Sequence, residues 1–350
     1  MRKRTIQHLI SKFLVMVAIG MILTPDVAES QGQGSKPCIL PERCFVRMDV
    51  GAGLKLPVYT SHPFDRTNSH IRRAVIVVHG SSRNAYGYFK SMVRSAIMER
   101  QLDETLIVTP WFSIKSDTDR GHGMDAREPG DLYWRRSSHW KKGHRSARVN
   151  FQRISSFEII DSLRTRLASK NIFPNLAKLT IIGFSAGGQF VQRYAVGSIG
   201  AQELSTRFVV SSPSSYMYFD RYRPAQMGTG FEVRLDTSDC RVNRYKYGSE
   251  GLNSYMNNRS LSSMVKSYRY LDLVYLIGAD DNDPEHGGLD TSCPALAQGA
   301  NRVARALNFK AYMDRFHAPH NHRIVVVPDV AHSSAKMFRS SLGREVVFNW

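Results

Sequence analysis

The chain has 350 residues, 42% of them hydrophobic and 22% charged, a composition too apolar and too varied for a disordered chain or a collagen-like repeat. Only the N-terminus approaches membrane character, which excludes a polytopic membrane protein, and the remainder can bury a large core without metal or disulfide staples. The 48 Lys and Arg against 30 Asp and Glu give a formal +18, a field that attracts lipid headgroups, acidic polysaccharide or nucleic acid.

Residues 1–30 read as a secretory signal. A basic start, Met1-Arg-Lys-Arg4, leads into an uncharged run from Phe13 to Leu23. Pro25 breaks that run, and Ala28-Glu29-Ser30 offers small residues at −3 and −1 of a cut before Gln31. The run is about half the ~20 residues a spanning helix needs, so cleavage is favoured over a retained anchor. Export to the periplasm or the exterior permits disulfides, and four cysteines follow the cut: Cys38, Cys44, Cys240 and Cys293. Three pairings are open, with four unpaired thiols as the alternative. Proximity favours Cys38 with Cys44, leaving Cys240 and Cys293 to tie distant segments.

Residues 31–69 are a Gln/Gly/Ser linker and an extended hairpin around Gly51-Ala-Gly53. From 70 to 350 short apolar runs alternate with helical patterns. Strands are expected at Ala74–Val78, Thr105–Phe112, Leu179–Ile182, Arg207–Ser211, Leu273–Ile277 and Arg323–Pro328. Helices are expected over about 85–100, 152–169, 189–196 and 294–315, with a terminal one from Ser333. The helix at 152–169 opens with a capping box, Ser155 with Glu158. Fully apolar strands alternating with helices predict a parallel sheet covered on both faces, a single elaborated α/β domain. Two long polar, aromatic stretches, about 113–151 and 214–268, interrupt the alternation and read as insertions over one end of the sheet.

The strand at 179–182 runs into Gly183-Phe184-Ser185-Ala186-Gly187-Gly188. This is G-x-S-x-G at a strand-to-helix turn, the context in which the motif carries meaning. A serine on so sharp a turn needs neighbours without bulk, and the helix behind it points free amides at developing negative charge. The hydroxyl needs a base, and the base an orienting acid. Both follow in the order Ser, acid, His, each after a strand. Gly278-Ala-Asp280-Asp281-Asn-Asp283 supplies the acid, with Asp281 ranked ahead of Asp283 and Asp280, and Pro328-Asp-Val-Ala-His332 supplies the base. Oxyanion donors are expected from the amides of Ala186, after the nucleophile, and Ser81, after His79-Gly80.

The set Val-Val-His79-Gly80, Gly-Phe-Ser185-Ala-Gly-Gly188, Gly-Ala-Asp-Asp281 and Val-Ala-His332 resembles the α/β-hydrolase superfamily. Ser185-Ala-Gly-Gly188 is similar to secreted esterases of the poly(3-hydroxybutyrate) depolymerase type. Where those esterases usually carry Cys after His-Gly, this chain has Ser81-Ser82. The resemblance spans about residues 70–345 and implies a mostly parallel sheet of about eight strands. It further implies a serine hydrolase that needs no cofactor and acts on a small or polymeric ester.

Other signals are set aside. Asp281-Asn-Asp283-Pro-Glu285 has the look of a calcium loop, but His286 and Ser292 stand where Gly and Glu are required. His317, His320 and His322 lack convincing ligand spacing, so no metal is expected. The basic, aromatic run from Trp134 to Arg148 reads as a solvated insertion whose tryptophans pack on the domain, or as a flap or contact to an anionic surface. Nucleic acid is not expected of an exported hydrolase. The sequence therefore points to an exported serine hydrolase of carboxylic esters. Amide, peptide or thioester hydrolysis on the same triad is the first alternative. A non-catalytic anionic-surface binder with a vestigial site is the second.

Overall fold

The computed structural model describes residues 36–117, 127–198, 204–227 and 229–350. The secretory signal expected at 1–30 lies outside the described residues. Among the described residues ten strands form, eight of them in one sheet. They are β1 (Phe45–Asp49), β2 (Lys55–Thr60), β3 (Arg73–Val78), β4 (Thr105–Pro110), β5 (Lys178–Phe184), β6 (Ser205–Ser211), β9 (Asp272–Gly278) and β10 (His322–Val327). Across the sheet the order is β1-β2-β4-β3-β5-β6-β9-β10. The hairpin β1–β2 is antiparallel and joins β4 antiparallel, and every later pairing is parallel.

Alternation along the strands builds a core on each face. In β3, Ala74, Ile76 and Val78 point to one side and Val75 and Val77 to the other, all buried. The first face is covered by α2 (Ser156–Ala168), α3 (Ala186–Gly197), α4 (Leu261–Arg269) and α6 (Arg302–Phe316), through Phe157, Phe190, Tyr194, Met264 and Phe309. The second is covered by α1 (Ala85–Met98), α7 (Ser334–Arg339) and α8 (Ser341–Phe348), through Phe89, Met92, Met337 and Val347. Ser155 caps α2 as its sequence predicts: its hydroxyl accepts from the Phe157 amide, and Glu158 reaches back to the Ser155 amide at 2.6 Å.

Two helical readings need correction. The helix expected over 294–315 is two, the short α5 (Cys293–Leu296) and α6. Gly299, at φ +141°, lies in the break between them, and the Asn301 side chain caps the second at the Ala304 amide. The terminal helix likewise divides at Ser340, whose hydroxyl caps α8 at the Gly343 amide.

The stretch 214–268 contains a small hairpin of β7 (Tyr222–Pro224) and β8 (Phe231–Val233) and most of α4. Trp134 and Trp140, in the other long stretch, are fully buried in the first core. Cys38 is bonded to Cys44 and Cys240 to Cys293, with Cα separations of 5.6 and 5.4 Å.

Candidate active site

The carboxyl ends of the parallel strands open on one edge, where α/β sheets place their ligands. Strand β5 ends at Phe184, and Ser185 follows with φ +60°, ψ −116°, a strained conformation for a residue with a Cβ. Neighbouring glycines permit it. A Cβ on Gly187 would stand 2.1 Å from the Val78 carbonyl, so only glycine lets α3 leave the strand so closely against β3. The Ser185 amide donates to the Ser211 carbonyl at 2.9 Å, tying the turn to β6.

The loops after β9 and β10 fold onto each other. The Ala279 amide donates to Val327 O at 2.8 Å and the Asp280 amide to Val330 O at 3.1 Å. A Cβ on Gly278 would lie 2.0 Å from the Val330 carbonyl, so this crossing also depends on a missing side chain. Its effect is to bring Asp281 and His332 together. His332 Nδ1 lies 2.7 Å from Asp281 Oδ2, and its Nε2 lies 3.0 Å from Ser185 Oγ. With Nδ1 donating to the carboxylate, Nε2 is left to accept the serine proton. Asp280 is exposed, and Asp283 accepts from the Glu285 amide in a surface turn. Of the three acids, Asp281 is the one at the histidine.

A buried arginine stands behind the acid. Arg302, at the start of α6, donates from Nη1 to Asp281 Oδ1 at 3.1 Å, and neither side chain reaches solvent appreciably. Burial opposes the Asp281 charge, but the His332 hydrogen bond and then the Arg302 charge overcome it and hold the carboxyl below its ordinary value. His332 is pushed below its ordinary value chiefly by burial, with Asp281 opposing and Arg302 adding to the depression. The imidazole is thereby kept in the neutral form a general base requires. Its ring packs 4.7 Å from Phe184 and 4.9 Å from His286.

The turn after β3 is held as firmly. His79 is fully buried, and burial drives it down to about 4. The neutral ring accepts from the Phe112 amide at Nε2, 3.0 Å away, and faces the Gly80 carbonyl through Nδ1. Arg83 Nη1 donates to the Ser81 carbonyl at 2.8 Å while the same guanidinium grips Asp117 at 2.6 and 3.0 Å. Among the described residues, neither the Ser81 nor the Ala186 amide is taken up by a backbone carbonyl. Both lie beside the Ser185 turn, one after β3 and one at the head of α3.

No family model matches the chain, and no curated protein matches it. Among solved structures it is similar to poly(aspartic acid) hydrolase-1 from Sphingomonas sp. KT-1, at TM-score 0.59 and 21% identity over 87% of this chain and 98% of that one. It is also similar to a poly(3-hydroxybutyrate) depolymerase from Bordetella parapertussis, at TM-score 0.58 and 18% identity over 87% and 89%. The chain has the α/β-hydrolase fold.

Ser185, Asp281 and His332 follow the ends of β5, β9 and β10 in chain order. The sequence offered no sign of Arg302 or Arg83. Each meets its carboxylate only through the tertiary fold, 21 residues from Asp281 and 34 from Asp117, and no local pattern links either pair. Cys240–Cys293 ties the 214–268 stretch to α5, between the acid and the base.

Proposed function

We propose that this chain is an exported serine hydrolase that cleaves carboxylic esters through an acyl-enzyme on Ser185. The observation that carries the reading is the continuous hydrogen-bonded chain from Ser185 Oγ through His332 to Asp281. As Ser185 attacks the acyl carbon, His332 Nε2 takes its proton, and Asp281 stabilises the imidazolium that forms. The oxyanion is received by the amides of Ser81 and Ala186, the latter backed by the N-terminus of α3. Collapse expels the alcohol, which leaves with the proton from His332. Water then adds to the acyl carbon with the same base, and the acid and free Ser185 are released. Nothing in this sequence of steps calls on a cofactor.

Export to the periplasm or the exterior is supported by the signal-like start and by the two disulfides. The similar structures include one protein named for an acidic polyamide and one for a polyester. An amide therefore stands as the second substrate class, since the same triad serves both.

Pre-steady-state turnover tests the proposal. With p-nitrophenyl butyrate, a burst of one nitrophenolate per protein is expected, together with a butyryl adduct that maps to Ser185. A matched p-nitroanilide reads the amide alternative. Folded protein that turns over neither substrate and gains no adduct would leave a binding protein with a vestigial site.

A further inference from the structure

The long stretch ahead of α2 carries a surface that the hydrolase reading leaves unused. Residues 132–157 hold seven Lys and Arg and no Asp or Glu. The two acids just before them, Glu128 and Asp131, are both taken up by Arg47. Trp134 and Trp140 pack inward, whereas Arg135, Arg136, Arg145, Arg148 and Arg153 are all exposed. Among the described residues none of these five forms an ion pair.

Backbone pairing gathers them. Residues 145–155 fold as a narrow hairpin: Arg145 bridges to Ser155, and the Ser146 amide donates to Ile154 O at 2.8 Å. Val149 and Gln152 close it, each amide donating to the other's carbonyl at 3.0 and 2.8 Å. Arg148 and Arg153 are therefore neighbours across the hairpin, one on each side of its tip. The Ala147 amide donates to Tyr133 O and the Trp134 indole to His144 O, which lays the segment leading to Arg135 and Arg136 alongside.

At the tip, Asn150 and Phe151 both take left-handed backbone, with φ +47° and +60°. Two-residue turns of this kind favour glycine at the second position, where a Cβ is strained. This chain places Phe151 there, and 89% of it is exposed. A strained turn residue, an aromatic ring in water and like charges facing across a hairpin all work against the stability of the free protein. The hairpin is held firmly all the same. Asn150 Nδ2 donates to Gly53 O, in the β1–β2 turn, at 2.9 Å, and Trp140 packs 4.6 Å from the His79 ring. Both anchors lie at the carboxyl ends of the parallel strands, because β2 begins beyond the end of β4 and His79 follows β3.

We propose that this hairpin docks the protein on an anionic lipid surface, with Phe151 entering the apolar layer and the arginines meeting the headgroups. An apolar apex flanked by guanidinium groups matches a boundary where hydrocarbon lies directly beneath negative charge. An acidic polysaccharide matches the arginines but supplies no apolar layer for the ring. Docked in this way, the protein turns the end of the sheet that carries Ser185 towards the membrane.

Co-sedimentation with vesicles tests the proposal, comparing equal parts phosphatidylglycerol and phosphatidylcholine with phosphatidylcholine alone. Wild type is expected to pellet with the anionic vesicles and not with the neutral ones, and about 0.5 M NaCl weakens the binding. Arg148→Gln and Arg153→Gln each reduce partitioning by about five-fold, the scale of one cation at an anionic membrane. Phe151→Gly reduces it by about ten-fold or more through lost apolar burial, yet unfolds no more easily than wild type because it relieves the turn. Phe151→Trp keeps the binding, and its added fluorescence shifts to the blue on vesicles. Lys90→Met, on the exposed face of α1, leaves binding unchanged. Absence of binding to anionic vesicles, equal binding to both kinds, or full binding by Phe151→Gly overturns the proposal. Heparin or oligothymidylate bound more tightly than vesicles, through the arginines and without regard to Phe151, overturns it in favour of a soluble polyanion. None of these readouts involves Ser185, so they stand apart from the hydrolase reading.

Discussion

Replacing Arg302 by Met should move the acid limb of the pH–rate profile upward. The guanidinium and the imidazole lie on opposite oxygens of Asp281, through contacts of 3.1 and 2.7 Å. Bridged by one carboxylate, the two charges stand roughly 7 Å apart, where a unit charge acts with about 2 kcal/mol at an effective dielectric of about 20. That corresponds to about 1.5 pH units. The sign follows from the roles: a positive Arg302 opposes protonation of His332, so removing it raises the histidine pKa. More of the base is then protonated at pH 5–6, and kcat/KM there falls. Met retains much of the buried volume, while Arg302→Lys keeps the charge and should hold the midpoint near wild type. The assay is kcat/KM for a neutral p-nitrophenyl ester from pH 4 to 9 on each folded variant. A Met variant with the wild-type midpoint, or one indistinguishable from the Lys variant, would show that Arg302 does not tune the base.

Three further outcomes are expected. Ser185→Gly should be more stable than Ser185→Ala by about 1 kcal/mol, because glycine relieves strain at φ +60° that alanine retains, less its own entropic cost; equal unfolding midpoints would remove strain from the picture. Arg83→Met frees the Ser81 carbonyl and should lower kcat by about 10- to 100-fold with little change in KM, and a retained kcat would show that the turn holds its shape without that contact. Stability should decline in acid. His62, His79 and His322 are buried and lowered to about 4. They stay neutral in the fold but take protons when unfolded, so stability complete above about pH 6.5 is lost towards pH 4, by about 3 kcal/mol for a group such as His79. Denaturant midpoints between pH 4 and 7 read this, and a flat profile would contradict it.

The strand-to-helix turn at Ser185 was legible because its cause is local. Apolar, β-branched residues make the strand, and glycines at 183, 187 and 188 leave room for the neighbouring chain. Order and position at strand ends then singled out the loops of Asp281 and His332. Asp281 ranked ahead of Asp283 and Asp280 on its Gly-x-x-Asp turn, whereas the crossing at Gly278 that brings it to His332 is a tertiary contact with Val330 that no local pattern encodes. The same holds for Arg302 and Arg83. The break at Gly299 was carried by a glycine followed two residues later by an asparagine cap, a signal the apolar pattern across 294–315 masked. Trp134 and Trp140 read first as packing on the domain, with a flap or surface contact as the alternative. Packing against Phe112, Phe190 and His79 puts both inside.

Fluorophosphonate labelling of the purified protein, with peptide mapping of the adduct, addresses the nucleophile directly. Wild type should be labelled at Ser185. Ser185→Ala should show no adduct, and His332→Ala should react far more slowly because the hydroxyl has lost its base. Folded wild type that resists the reagent, or an adduct on any residue other than Ser185, would contradict the assignment of Ser185 as an activated nucleophile.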